Sequence, residues 1–143
     1  LDLPISTEDL TRLYRFALLL TGEEGSAQQV LLDACADCAG RLGSYRNDDQ
    51  QLACLMGTIR QKARVAPAPV TGDSRSIVRG FTTLPEEERV ALAGLYCGLL
   101  PARLLAEVLK MSIEQMGRAL KSGRERLERS GLQMGEPSLE PVL

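Results

Sequence analysis

The sequence predicts an all-α fold of two small helical domains joined by a flexible linker, and three observations carry that expectation. Only 3% of the residues are aromatic and none is Trp, so a core must be filled by Leu, Ala, Val, Met and Cys, which suit helix packing better than a β-sandwich. Apolar residues recur at three- and four-residue spacing in successive segments. Each segment is bounded by a Gly, a Pro or a short polar residue where a helix would begin or end. A chain of 143 residues with 44% hydrophobic content can supply two such domains but not a large enzyme barrel.

The first helix is announced by Ser6 and Thr7 ahead of Glu8 and Asp9, a cap followed by acidic residues that complement the helix dipole. Leu10, Leu13, Tyr14, Ala17 and Leu20 continue it to a stop at Gly22. A second helix is expected from Ser26, with Val30, Leu31, Ala34, Cys35, Cys38 and Leu42 on one stripe and a break at Gly43. After the polar stretch Ser44 to Gln51, in which Asp48-Asp49 reads as a loop or cap, Leu52, Leu55, Met56 and Ile59 define a third helix. It ends in the basic residues Arg60, Lys62 and Arg64. These three helices, residues 1–64, should form one antiparallel bundle.

Residues 65–80, VAPAPVTGDSRSIVRG, contain two prolines and a Gly-Asp turn signal and are expected as the linker. A second domain over 81–131 opens at Leu84-Pro85, where Glu86, Glu87 and Glu88 read as compensation for the helix dipole. Val90, Leu92, Leu95 and Tyr96 are its buried face, and Gly98 ends the helix. Pro101 starts a short helix carrying Leu104, Leu105, Val108 and Leu109, which stops near Lys110-Met111. Ser112 stands three residues before Gln115 in a capping-box arrangement that starts the last helix. Ile113, Met116, Leu120 and Leu127, with Gly123 between, are its apolar side, and Arg118, Lys121, Arg124, Arg126 and Arg129 populate the others. Residues 132–143 have no period and are expected to be a flexible tail.

The absence of His removes the commonest general base and the commonest metal ligand, which argues against most hydrolase and catalytic zinc chemistry. No catalytic residue, no metal site and no cofactor is expected, and the chain reads as not an enzyme. A net charge of −2 excludes a globally polybasic surface, so any nucleic-acid footprint must be local. No apolar run reaches the ~20 residues of a membrane span, because Phe16-Ala17-Leu18-Leu19-Leu20 is closed by Thr21 and Gly22. No signal peptide is apparent, and a cytoplasmic location without membrane contact is expected. The sequence opens on Leu1 rather than Met, as a trimmed chain would.

A short helix, a turn and a longer basic helix are the layout of a helix-turn-helix, whose second helix enters the DNA major groove. Gln115, Arg118, Lys121 and Ser122 would then face the groove, where Arg and Gln suit bidentate base readout. Arg124, Arg126 and Arg129 would meet phosphates. The same residues also fit a solvated face of an amphipathic helix, and Glu114, Glu125 and Glu128 weaken the local field in that reading's favour.

The stretch LPEEERVALAGLYCGLLPARLLAEVLKMSIEQMGRALKSGRERL, Leu84 to Leu127, resembles the promoter-binding domain of extracytoplasmic-function (ECF) RNA polymerase sigma factors. The landmarks are Leu84-Pro85, Ala106-Glu107-Val108-Leu109, Ser112 and the Arg-rich end from Arg124. LYRFALLLTGEEGSAQQVLLDA, Leu13 to Ala34, is similar to that family's core-polymerase-binding domain. The resemblance covers nearly the whole chain in order, making 1–64 a sigma region 2-like domain and 81–131 a region 4-like one. It implies core RNA polymerase and promoter DNA as partners and an anti-sigma protein as a further one. Gln29, Asp33, Asp37 and Arg60 would contact the polymerase or another partner.

The departures from the family pattern are specific. Helix two has Gln28-Gln29, Leu32-Asp33, Cys35 and Ala39 where acidic and aromatic residues are usual. The third helix has Cys54 and a sparse basic run where a Trp and denser charge are usual, and Gly117 and Ala119 stand where the family tends to have Lys and Arg. Stacking and positive charge for strand capture are thinned, as are phosphate contacts. A sigma-mimicking regulator that binds an anti-sigma protein instead of promoter DNA is therefore the alternative function. A homodimeric helix-turn-helix repressor is a third, and it would leave the N-terminal bundle unexplained.

Cys35-Ala-Asp-Cys38 is a CxxC on the apolar face of helix two, with neither His nor a second CxxC to complete a zinc site. Cys54 could approach it. Buried packing, a redox switch and a three-thiolate metal site are the three readings, and Cys97 reads as core of the other domain.

Overall fold

Ser6 accepts a hydrogen bond from the Asp9 backbone N–H at 3.1 Å and so caps the first helix, α1 (Thr7–Thr21). Gly22 ends it in the left-handed region at φ 80°, where its N–H bonds Leu18 O at 2.8 Å. The chain is seen in a computed structural model that describes residues 5–45, 47–66 and 76–129. Among the described residues there are seven helices and no strand, so the all-α expectation holds.

Helix α2 (Glu24–Leu42) begins two residues earlier than Ser26, because the Gly22 turn reverses the chain at once and Ala27 N already bonds Glu23 O. Helix α3 (Asp48–Arg64) likewise starts inside the expected polar loop. Asn47 accepts from Gln50 N at 2.9 Å, and Asp48 and Asp49 form the first turn, where carboxylates meet the positive end of the dipole. Gln51 is buried there and donates to Leu42 O at 3.2 Å, tying the end of α2 to the start of α3.

The C-terminal end of the segment expected as linker, 65–80, is helical: α4 (Ser76–Thr82). Val78 and Phe81, three residues apart, are fully buried, and α4 packs on α1. The Phe81 ring meets Tyr96 edge-on at 6.0 Å. This short apolar face was hidden in the sequence by the Pro and Gly signals upstream of it, which lie outside the described residues, as does the tail 132–143.

Helix α5 (Glu86–Cys97) has Pro85 as its cap rather than in its first turn, and ends at the left-handed Gly98. Val90 and Leu92 are buried as expected, while Leu95 and Tyr96 are half-buried. Helices α6 (Ala102–Val108) and α7 (Ile113–Arg129) hold the last of the described residues. Two glycines let these helices approach: a Cβ on Gly94 would stand 2.6 Å from Leu105 Cδ1, and one on Gly123 would stand 2.5 Å from Leu92 Cδ1.

Helix α1 contacts α2 and α3 on one side and α4 and α5 on the other, and α3 contacts α6. Phe16 through Thr21 are accordingly buried without a break, because a helix apolar all round must be enclosed all round. The buried side chains form one continuous cluster through both halves of the chain. Among the described residues, no helix is long and apolar enough to cross a membrane.

Candidate nucleic-acid interface

Helices α6 and α7 are joined by a tight turn whose backbone is fully specified. Met111 N bonds Ala106 O at 2.9 Å and Lys110 N bonds Glu107 O at 3.1 Å, the paired bonds of a Schellman cap. Lys110 occupies the left-handed position at φ 57°, usually held by Gly. The expected capping box then forms in both directions: Gln115 N donates to Ser112 Oγ at 3.0 Å, and Ser112 N donates to Gln115 Oε1 at 2.8 Å.

The residues expected to face DNA divide into two groups. Arg118, Lys121, Arg124 and Arg129 are exposed on α7, and the first three follow one another at three-residue steps. Arg129 reaches back to Glu125 O at 3.4 Å. Gln115 is exposed too, with its amide oxygen engaged in the cap. Ser122 and Arg126 instead turn toward α5: Ser122 Oγ donates to Glu88 Oε2 at 3.1 Å, and Arg126 Nε lies 2.9 Å from Glu88 Oε1. Ile113, expected on the apolar side, is instead 60% exposed at the start of α7.

Of the residues expected to meet polymerase or a partner, Gln29 donates to Asp33 at 2.9 Å on the surface of α2, and Asp37 pairs with Lys62 of α3 at 2.7 Å. Arg60 points inward. Its Nε and Nη2 each donate to Glu86 at 3.0 Å, and its Nη1 donates to Leu109 O, the end of α6, at 2.9 Å. Arg64 adds two longer bonds to the same carboxylate, at 3.2 and 3.3 Å. The Arg60 hydrogen bonds outweigh desolvation and, with Arg64, hold the Glu86 carboxyl below its ordinary pKa.

Arg89 makes a second connection. It donates to Leu20 O at 3.1 Å, Thr82 O at 3.1 Å and Leu84 O at 2.8 Å, joining the ends of α1 and α4 to the start of α5. Burial lowers the pKa of its guanidinium. Leu20, Thr21, Arg60, Arg64, Glu86 and Arg89 are among the residues lining a cavity of about 530 Å³ between these helices. Glu86 and Glu88 therefore do more than compensate a dipole, and sequence reasoning missed Arg89 altogether. Its one signal was position: a cation three and four residues before the buried Leu92 and Ala93 lies on the apolar face of α5 and needs acceptors there.

Among the described residues no group of His, Cys, Asp and Glu could hold a metal ion, which leaves the three-thiolate reading of the cysteines without a site.

Among the described residues, α2 to α5 packed against α1 and a capped helix-turn-helix at α6–α7 define an all-α protein of sigma-factor-like fold. A solved structure similar to this chain is that of the sigma factor RpoE in complex with the anti-sigma factor NepR from Bartonella quintana. The match has a TM-score of 0.70 at 15% identity, covering 85% of this chain and 90% of that one. At that identity the likeness is one of fold. No family model matches the sequence, and no curated protein matches it.

Proposed function

We propose that this chain is an ECF-type sigma factor that directs core RNA polymerase to promoters, itself performing no chemistry. The observation that carries the reading is the outward stripe of Arg118, Lys121 and Arg124 on a helix whose entry turn and cap are specified bond by bond. Side chains so placed on the second helix of a helix-turn-helix suit a DNA groove, with Arg129 farther along for phosphates. In this reading 1–64 and 81–131 act as separate domains across the linker 65–80, and Gln29, Asp33 and Asp37 on α2 meet the polymerase in the cytoplasm. Arg60 joins them only after it leaves Glu86.

A specific observation favours the second reading, a sigma-mimicking regulator that binds an anti-sigma protein. Arg60, Arg64 and Arg89 tie the two halves together by side-chain bonds, and α7 carries three acidic residues among its five basic ones, which thins its field. The similar solved structure is itself of a sigma factor in complex with an anti-sigma factor.

The test is to mix the purified chain with core RNA polymerase and assay transcription from DNA upstream of its own operon. Stable core binding with new promoter-specific transcripts is expected. A well-folded chain that does not bind core overturns the reading in favour of the anti-sigma partner.

A further inference from the structure

Cys38 and Cys54 stand on the facing sides of α2 and α3 with their sulfurs 3.3 Å apart, the Cys54 thiol directed at Cys38 Sγ. Both are free thiols. A disulfide needs its sulfurs about 2 Å apart, a closure that side-chain rotation at two adjacent helices can supply. Around the pair, Thr58 Oγ1 lies 3.3 Å from Cys38 Sγ, and Arg41 Nη2 donates to that sulfur at 3.6 Å.

The two thiols differ in access. Cys38 is fully buried, whereas Cys54 is half-exposed and lines an open pocket of about 540 Å³ between α3 and the helix-turn-helix turn. Arg41 and Lys110 lie on the walls of that pocket with Glu87, and Arg60 and Arg64 there share the one carboxylate of Glu86, so positive charge is in excess. A basic mouth of this size suits an anionic peptide disulfide. Cys35, the other half of the CxxC, is buried in the core and has no part in this contact.

We propose that Cys38 and Cys54 are a thiol-oxidation site that takes a small anionic disulfide of the glutathione type as its oxidant. The Cys54 thiolate attacks one sulfur of the small disulfide, whose S–S bond breaks and releases one thiolate. Cys38 then attacks Cys54 Sγ in the mixed disulfide, and the second small thiolate leaves. The two cysteine sulfurs are oxidised, the small disulfide is reduced to two thiols, and the two protein protons end on them. Burial and the neighbouring Cys54 push the Cys38 thiol up, while Thr58 and Arg41 oppose the rise, which fits Cys38 as the resolving partner rather than the first to react. The product staples α2 to α3 beneath the wall that faces the turn at Leu109, Lys110 and Met111. This proposal is independent of whether the chain binds promoter DNA.

The test is to incubate the reduced, folded chain with glutathione disulfide, then unfold it in denaturant with an alkylating reagent that blocks every remaining thiol, and map the products by peptide mass spectrometry without reduction. The expected result is loss of two hydrogens, a Cys38–Cys54 cross-link, and alkylation at Cys35 and Cys97. In Cys38→Ala, confirmed as folded by circular dichroism, glutathione should remain trapped on Cys54. Alkylation of all four cysteines in the wild-type chain, a Cys35–Cys38 link, or glutathione persisting on wild-type Cys54 would each overturn the proposal.

Discussion

Arg60 and Glu86 lie 26 positions apart in the sequence yet meet through two parallel hydrogen bonds of 3.0 Å, one from each of two guanidinium nitrogens to each carboxylate oxygen. The Arg60 side chain is 12% exposed and that of Glu86 is 40% exposed, so the pair sits where a protein edge meets water. The third Arg60 bond, to Leu109 O, carries the connection on to the end of α6. One side chain of α3 thus holds both the start of α5 and the end of α6.

Removing the Glu86 charge leaves Arg60 largely enclosed without its carboxylate. The Glu86→Gln variant should lose about 1–2 kcal/mol of stability, less than a fully buried pair would cost because water screens Glu86. Urea unfolding with an unchanged slope checks this, and a double-mutant cycle with Arg60→Met should show a coupling that the two single changes do not sum to. Coincident wild-type and Glu86→Gln transitions would mean the bond contributes nothing.

Acid should abolish the same difference. The folded Glu86 carboxyl ionises below its ordinary value of 4.5, chiefly because Arg60 bonds the carboxylate. Its contribution is complete above that ordinary value and is lost as pH falls through the lowered folded one. Urea midpoints measured across acid pH should therefore show wild type approaching Glu86→Gln as pH drops, with the gap constant near neutrality.

Two glycines of α7 should respond in opposite directions to Ala. At Gly123 the new methyl would press on Leu92, which is fully buried, with Glu88 Cβ of the same helix α5 3.3 Å away. Overpacking there should outweigh the gain in helix propensity and cost about 1–2 kcal/mol net. At Gly117 nothing lies within 4 Å, so Ala should stabilise by about 0.5–1 kcal/mol. Thermal or urea unfolding of the two variants reads both signs.

Two neighbouring residues of α7 should separate DNA binding from stability. On the proposed function, Arg118→Ala should weaken promoter binding by about 1–3 kcal/mol and leave the unfolding midpoint unchanged, since the side chain is exposed. Ser122→Ala should do the reverse, costing about 1 kcal/mol of stability through its lost bond to Glu88 while leaving affinity alone. Fluorescence anisotropy on promoter DNA, beside urea unfolding of each variant, checks the split.

What the amino-acid sequence determined by itself was local. Ser6, Gly22, Gly98, Pro101 and the Ser112–Gln115 box mark helix ends through short-range bonds and backbone preferences that need no distant partner, and the structure has helix ends at each. The stripes at Val30, Ala34 and Cys38 and at Met116 and Leu127 were legible for the same reason, since helical spacing alone puts them on one side. The early starts of α2 and α3 were not, because a good cap at Asn47 competes in the sequence with the polar look of its neighbours.

Only the tertiary structure decided how the halves meet. Phe16 to Leu20 read only as an apolar run too short for a membrane span, and its enclosure by α4 and α5 as well as α2 and α3 appears only in the packed structure. Arg60, Ser122 and Arg126 read as surface residues and Arg89 was not singled out at all, because their orientation depends on acceptors brought close by chain folding: Glu86, Leu20 O and Glu88. Likewise the sequence could bring Cys54 toward the CxxC, but that it meets Cys38 rather than Cys35 was set by the crossing of α2 and α3. Periodicity tells which face of a helix is apolar; it carries no information on which other face will be laid against it, because that is settled by the packing of the whole core.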